Sequence, residues 1–226
     1  MTSINGASTN LLFWKPVGAF DTFFNKVVSV LTFGSYCHCE IDFILEKQQW
    51  KNMLSSFSLS GGKVKVRAQT VWKRMEDILE NIKDDTKIHL VFFTLWGSEL
   101  NVRMLTASDS YIFNRLPDPR YTTSVPFQMS PDEVRLSLGF CLQELHKKYD
   151  NKAAAMLFIP RVESICPRNF SNLPNKYFCS EFCMYLLQQC RPELRIYYPE
   201  NISPNELYKI IKDHNGTLLS DEFVSS

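Results

Sequence analysis

A histidine sits between two cysteines and two residues ahead of a carboxylate in "GSYCHCEIDF": Cys37, His38, Cys39 and Glu40. Residues of these types serve as metal ligands, as part of a catalytic group, or as an ordinary strand with small buried thiols. The surrounding alternation and β-rich composition predict a strand from Tyr36 to about Leu45. On a strand, Tyr36, His38 and Glu40 fall on one face, and Cys37 and Cys39 on the other. The Cys-His-Cys run therefore does not converge on one point. Zinc would need a distorted strand or ligands from elsewhere, since Cys-x-Cys lacks the usual ligand spacer and no second matching pair exists. Cys37 and Cys39 read as buried small hydrophobes.

A second stretch, "NKYFCSEFCMYLLQQC", places Cys179 at the start of an amphipathic helix, after a loop containing Pro174. A thiol there meets the positive end of the helix dipole and unpaired backbone N–H groups, so its thiolate is favoured. The same N–H groups could hold an oxyanion during acyl transfer. Cys183 and Cys190 read as core residues of that helix. Residue chemistry alone leaves the partner of Cys179 open among His38, His89, His146 and His214. His89 reads as a strand residue, and the last two as residues compensating helix C-termini.

These residues must be positioned by the rest of the chain. "LLFWKP" reads as a short strand stopped by Pro16, and Ala19–Thr32 as a helix with one apolar face, ended near Gly34. Irregular or strand-like segments flank a turn at Ser60–Gly62. Val64–Gln69 alternates as a strand, and Thr70–Ile82 reads as a helix. "KIHLVFFTLW" and "ELNVRML" predict a hairpin about Gly97 and Ser98. "PDPRYTTSVPF", with three prolines, reads as a surface loop. "MSPDEVRLSLGFCLQELHKKYD" predicts a helix with Ser130 as N-cap, Pro131 at the first position and Glu133 completing a capping box; Cys141 lies on its apolar side. A loop from Ile159 to Lys176 and a final helix, "SPNELYKIIKDHNG", ending at Gly216, complete an α+β order.

The 226 residues, 45% hydrophobic, suit one domain with a real core; residues 1–10 and 220–226 are expected to be flexible. With 25 basic and 24 acidic residues mixed along the chain, a nucleic-acid partner is not expected. Seven cysteines, an odd number, and no opening signal peptide predict free thiols in a reducing, cytoplasmic setting. No apolar stretch reaches the roughly 20 residues of a bilayer span. Contact with a membrane surface stays open.

Taken together, "LLFWKPVGAFDTFFNKVVSVLTFGSYCHCEIDF", "YDNKAAAMLF", "NKYFCSEFCMYLLQQC" and "NISPNELY" resemble the circularly permuted papain-like hydrolases of the NlpC superfamily. That group includes YiiX-type proteins, a poxvirus protein and, more distantly, lecithin:retinol acyltransferase-like enzymes. The resemblance spans about Leu11 to Tyr208, with the middle, roughly Gln48 to Val125, matching only as filler. It implies an antiparallel sheet packed against helices, Cys179 as nucleophile, His38 as general base and Glu40 as the third, polar member, although in the papain arrangement that group usually comes from the next strand. It further implies a thiol hydrolase (amidase, cysteine peptidase or lipid acyl hydrolase) or acyltransferase, acting on an amide or ester without metal or organic cofactor. The competing expectation is an idle descendant of the fold that serves as a structural or interaction protein, for example in a virion.

Overall fold

Strands β1 (Ser8–Trp14) and β2 (His38–Glu46) lie side by side and antiparallel, with Trp14 opposite His38 and Ser8 opposite Ile44. The structure, a computed structural model, describes residues 8–17, 23–31, 34–59, 66–83, 87–106, 120–157 and 174–224. β3 (Lys87–Thr94) pairs with the other side of β2, and β4 (Leu100–Thr106) returns beside β3 as the expected hairpin, with Gly97 at φ 74° in its turn. β5 (Thr122–Phe127) closes the opposite edge beside β1, so the sheet runs β4-β3-β2-β1-β5, antiparallel throughout. The α+β class and the antiparallel sheet packed against helices follow the reading of the sequence.

One face of the sheet carries the main core. Leu11, Phe13, Ile41, Phe43, Leu90 and Phe92 are fully buried there. They meet Leu138 and Cys141 of α4 (Pro131–Glu144), Phe182 and Leu187 of α6 (Cys179–Cys190), and Leu207 and Ile211 of α7 (Pro204–Val224). Each such side chain contributes roughly 1.5–3 kcal/mol through removal from water. Helix α4 begins as its sequence predicts: Ser130 Oγ accepts from Glu133 N (3.3 Å), and Glu133 Oε2 accepts from Ser130 N (2.6 Å).

Several elements differ from the expectation. Helix α1 (Phe23–Leu31) occupies the described part of the helix expected at Ala19–Thr32. Residues 47–59 form helix α2 (Lys47–Leu59) rather than irregular or strand-like structure. Its polar composition hides an anchor: Trp50 and Met53, three residues apart, are buried, and Trp50 Nε1 donates to Ile88 O (3.3 Å). Helix α3 (Val66–Asn81) starts where the strand Val64–Gln69 was expected, because Arg67–Gln69 continue without a breaker into a long helical run. β5 replaces a surface loop; Pro126 is tolerated because this is an edge strand. Helix α4 stops at Glu144, with His146 at φ 67° just beyond it, instead of running to Asp150. The chain then forms the two-residue β6 (Lys148–Tyr149) and the short α5 (Asn151–Met156); β6 pairs in parallel with β7 (Lys176–Tyr177). Helix α7 continues through Gly216 to Val224, and residues 8–10 belong to β1. The turn at Ser60–Gly62, residues 117–119 and most of the loop expected before α6 lie outside the described residues.

Candidate active site

β2 and β3 pair only as far as Ile41 opposite Phe92, although β3 continues to Thr94 against β4. His38, Cys39 and Glu40 therefore have β1 on one side and a notch on the other. The N-terminus of α6 packs against β2, with Cys179 close to His38 and Cys39. Phe178 is extended (φ −98°, ψ 170°), and Glu181 turns back so that its carboxylate accepts the Phe178 N–H (3.3 Å). Ser180 Oγ donates to Ile202 O (2.6 Å), fixing the first turn from the opposite side. Cys179 stands at the first position of the helix, 4% exposed.

The Cys39 thiol, the His38 ring and the Cys39 backbone N–H surround the Cys179 sulfur and favour the thiolate. The Cys39 thiol and the charge of His38 outweigh burial and hold Cys179 well below the usual thiol range. For His38, burial alone would favour the neutral ring; the Cys179 thiolate and then Glu40 overcome it and raise the imidazole to about 10. Both directions favour the ionised forms, a thiolate for Cys179 and an imidazolium for His38. His38 Nε2 lies 3.3 Å from Glu40 Oε1, which leaves Nδ1 as the ring nitrogen able to face the sulfur. Glu40 is 1% exposed, and burial pushes its carboxyl up. Arg103, paired with Glu40 Oε2, outweighs that together with His38 and the Trp14 indole, so the carboxyl falls below its ordinary value.

All three residues singled out from the sequence thus converge, in the order Cys179–His38–Glu40. The remaining histidines are placed elsewhere: His89 against Asp42 (2.8 Å), His146 against Glu99 (3.1 Å), and His214 stacked on Phe127 (centroids 5.8 Å). His214 lies within α7 rather than at its end, so it does not compensate a helix C-terminus. Cys183 is core, as expected, 3.9 Å from the Cys39 sulfur. Cys37 donates to Trp14 O (3.4 Å), and burial pushes its thiol up to about 12.

Two expectations are corrected. Tyr36 does not share the face of His38 and Glu40: the strand begins at His38, and Tyr36 packs with Phe13 (5.5 Å) and Tyr208 (4.8 Å) in the core. Cys39 does point to the core face, yet it touches Cys179. β2 is not paired with β3 at Cys39, and the first residue of α6 lies close to both Cys39 and His38. Arg103 and Tyr149 are the members that sequence reasoning missed. Arg103 comes from β4, two strands away, with no local signal. Tyr149 lies beside Trp96 (5.8 Å); burial raises its phenol, and the nearby Cys179 thiolate adds to this. Its sequence signal is the "YD" that opens "YDNKAAAMLF".

Among the described residues no group of three or more His, Cys, Asp or Glu is placed to hold a metal ion, and no helix is long and apolar enough to cross a membrane. The described cysteines are free thiols. A cavity of about 470 Å³ lies at the β1–β5–α4 junction, lined by Thr9, Gln128 and Arg191, and holds none of the Cys179 group. Neither protein-family models, nor curated proteins, nor solved structures give a match to this chain.

Proposed function

We propose that the protein is a thiol hydrolase or acyltransferase of the circularly permuted papain-like type, acting on an amide or ester carbonyl. The observation that carries this reading is the Cys179 sulfur at a helix N-terminus, hydrogen-bonded by His38, whose other side meets Glu40. The order in the chain, histidine strand first and cysteine helix late, is that of the permuted resemblance.

The Cys179 thiol gives its proton to His38. The thiolate attacks the carbonyl carbon, a C–S bond forms, and the carbonyl π pair moves to oxygen. Backbone N–H groups at the start of α6 stabilise that oxyanion. As the C=O bond reforms, the C–N or C–O bond breaks and the imidazolium protonates the leaving group. Water then attacks the thioester and gives a proton to His38, and the C–S bond breaks. With an alcohol or amine in place of water the same steps make an acyltransferase. Glu40 fixes the ring orientation, and Arg103 keeps Glu40 ionised.

The test is alkylation of Cys179 by iodoacetamide at mildly acidic pH, followed by peptide mass spectrometry. Fast labelling that is lost in His38→Ala supports the reading; equal, slow labelling in both sinks it. The second reading, an idle fold serving as an interaction module, is favoured by the 4% exposure of Cys179, and slow labelling is what it requires.

A further inference from the structure

We propose that the segment from Ile202 to Tyr208 is a positioning bracket that holds the two halves of the site in register, with Asn205 as its central residue. The proposal rests on the thiolate–imidazolium reading above.

Neither half of the site is held only by its own element. On the cysteine side, Ser180, the residue after Cys179, is fully buried, and its hydroxyl donates to Ile202 O (2.6 Å). On the histidine side, Asn205 is 3% exposed and its side-chain amide clasps the backbone of Tyr36, two residues before His38. Asn205 Oδ1 accepts the Tyr36 N–H (2.9 Å), and Asn205 Nδ2 donates to the Tyr36 carbonyl (2.9 Å). This is the two-bond pattern of a strand partner, supplied by a side chain just where β2 has not yet begun. Tyr208, one turn further along, packs its ring on that of Tyr36.

The chain makes room for the clasp. A Cβ at Gly34 would lie 2.1 Å from Asn205 Oδ1, and Gly34 has no left-handed backbone to explain its glycine otherwise. The bracket itself is fixed in place. Ser203 Oγ accepts from Glu206 N (3.2 Å), and Glu206 Oε2 accepts from Ser203 N (2.7 Å), a capping box that sets the start of α7. One rigid helix start thus touches the residue following the thiol and the residue leading to the imidazole. A shift of about 1 Å between reacting groups can cost on the order of a hundredfold in rate, so such a bracket acts on chemistry as well as on stability.

The experiment measures the rate of Cys179 alkylation by iodoacetamide against pH for the wild type and for His38→Ala, Asn205→Ala, Asn205→Asp and Gly34→Ala, each checked for native circular dichroism. In the expected result the wild type reacts fast at about pH 6, and Asn205→Ala and Gly34→Ala react about tenfold or more slowly, with their acid limbs moved toward that of His38→Ala. Asn205→Asp, which keeps the acceptor but loses the donor, is expected between them and serves if the alanine variant does not fold. The double variant Gly34→Ala/Asn205→Ala is expected to be no slower than Gly34→Ala alone, since both remove one clasp. If His38→Ala is slow while the Asn205 and Gly34 variants keep the wild-type rate and pH profile, the bracket is overturned and the thiolate reading stands. If the wild type itself is as slow as His38→Ala, the thiolate reading falls and the bracket falls with it.

Discussion

Replacing Arg103 by Met tests the polar half of the site without touching the thiol. Glu40 is 1% exposed and carries its charge because Arg103, itself 15% exposed at the side chain, pairs with it. Met keeps the volume of the aliphatic stem but removes the charge, along with the guanidinium that lies over the Phe93 ring (4.7 Å). Breaking a buried ion pair from one side costs about 3–5 kcal/mol; the partial exposure of Arg103 points to the lower end, about 3 kcal/mol. For a chain of this size that lowers the melting midpoint by roughly 6–12 °C. The double variant Arg103→Met/Glu40→Gln removes both charges of this pair, and the amide still faces His38, so it should recover most of the loss. Urea unfolding of the four proteins closes the cycle, with an expected coupling of about 2 kcal/mol between the two positions. Additivity within about 0.5 kcal/mol, the behaviour of independent sites, would refute the claim that Arg103 is what keeps Glu40 ionised.

Three further outcomes are expected. Because Cys179 is held below the usual thiol range, its alkylation rate should rise far less between about pH 7 and 8 than that of an ordinary thiol, which gains about tenfold per unit below its pKa; in the proposed mechanism turnover also needs the imidazolium as acid, so with His38 raised to about 10 it should fall above that pH while alkylation does not. Cys39→Ala removes a donor to the Cys179 sulfur, so the acid limb of alkylation should move upward, whereas Cys39→Ser, which retains a hydroxyl donor, should keep the wild-type profile; identical profiles for all three would exclude the thiol contact. Leu187→Ala opens a cavity at a fully buried position of α6 and should cost about 2–5 kcal/mol by denaturant titration.

The parts of the site legible in the sequence are those set by local rules. Cys179 opens a helix because Phe178 is extended ahead of an amphipathic run, and His38 and Glu40 share a face because strand side chains alternate. What the sequence hides depends on where strands separate. Nothing in "KIHLVFFTLW" marks that β3 leaves β2 beyond Phe92, so the notch could not be foreseen. Without the notch, Cys39 looks as though it faces away from the chemistry. Arg103 reaches Glu40 across an intervening strand, a relation with no sequence spacing to read. Among the elements, β5 was obscured by Pro126, which an edge strand tolerates, and α2 by a polar surface covering only a short apolar anchor at Trp50 and Met53. The "SPNEL" word announces a helix start but not the Asn205 clasp, which is a contact spanning 169 residues.

The notch has a consequence for the chain while it is being made. The thiol of Cys179 becomes acidic only when β2, α6 and the start of α7, all far apart in sequence, have come together. A partly folded or damaged copy carries the same cysteine with none of its neighbours in place, and there it is an ordinary, protonated thiol. Under the proposed function, reactivity is thereby reserved for completed molecules and follows the order in which the surroundings of the thiol assemble.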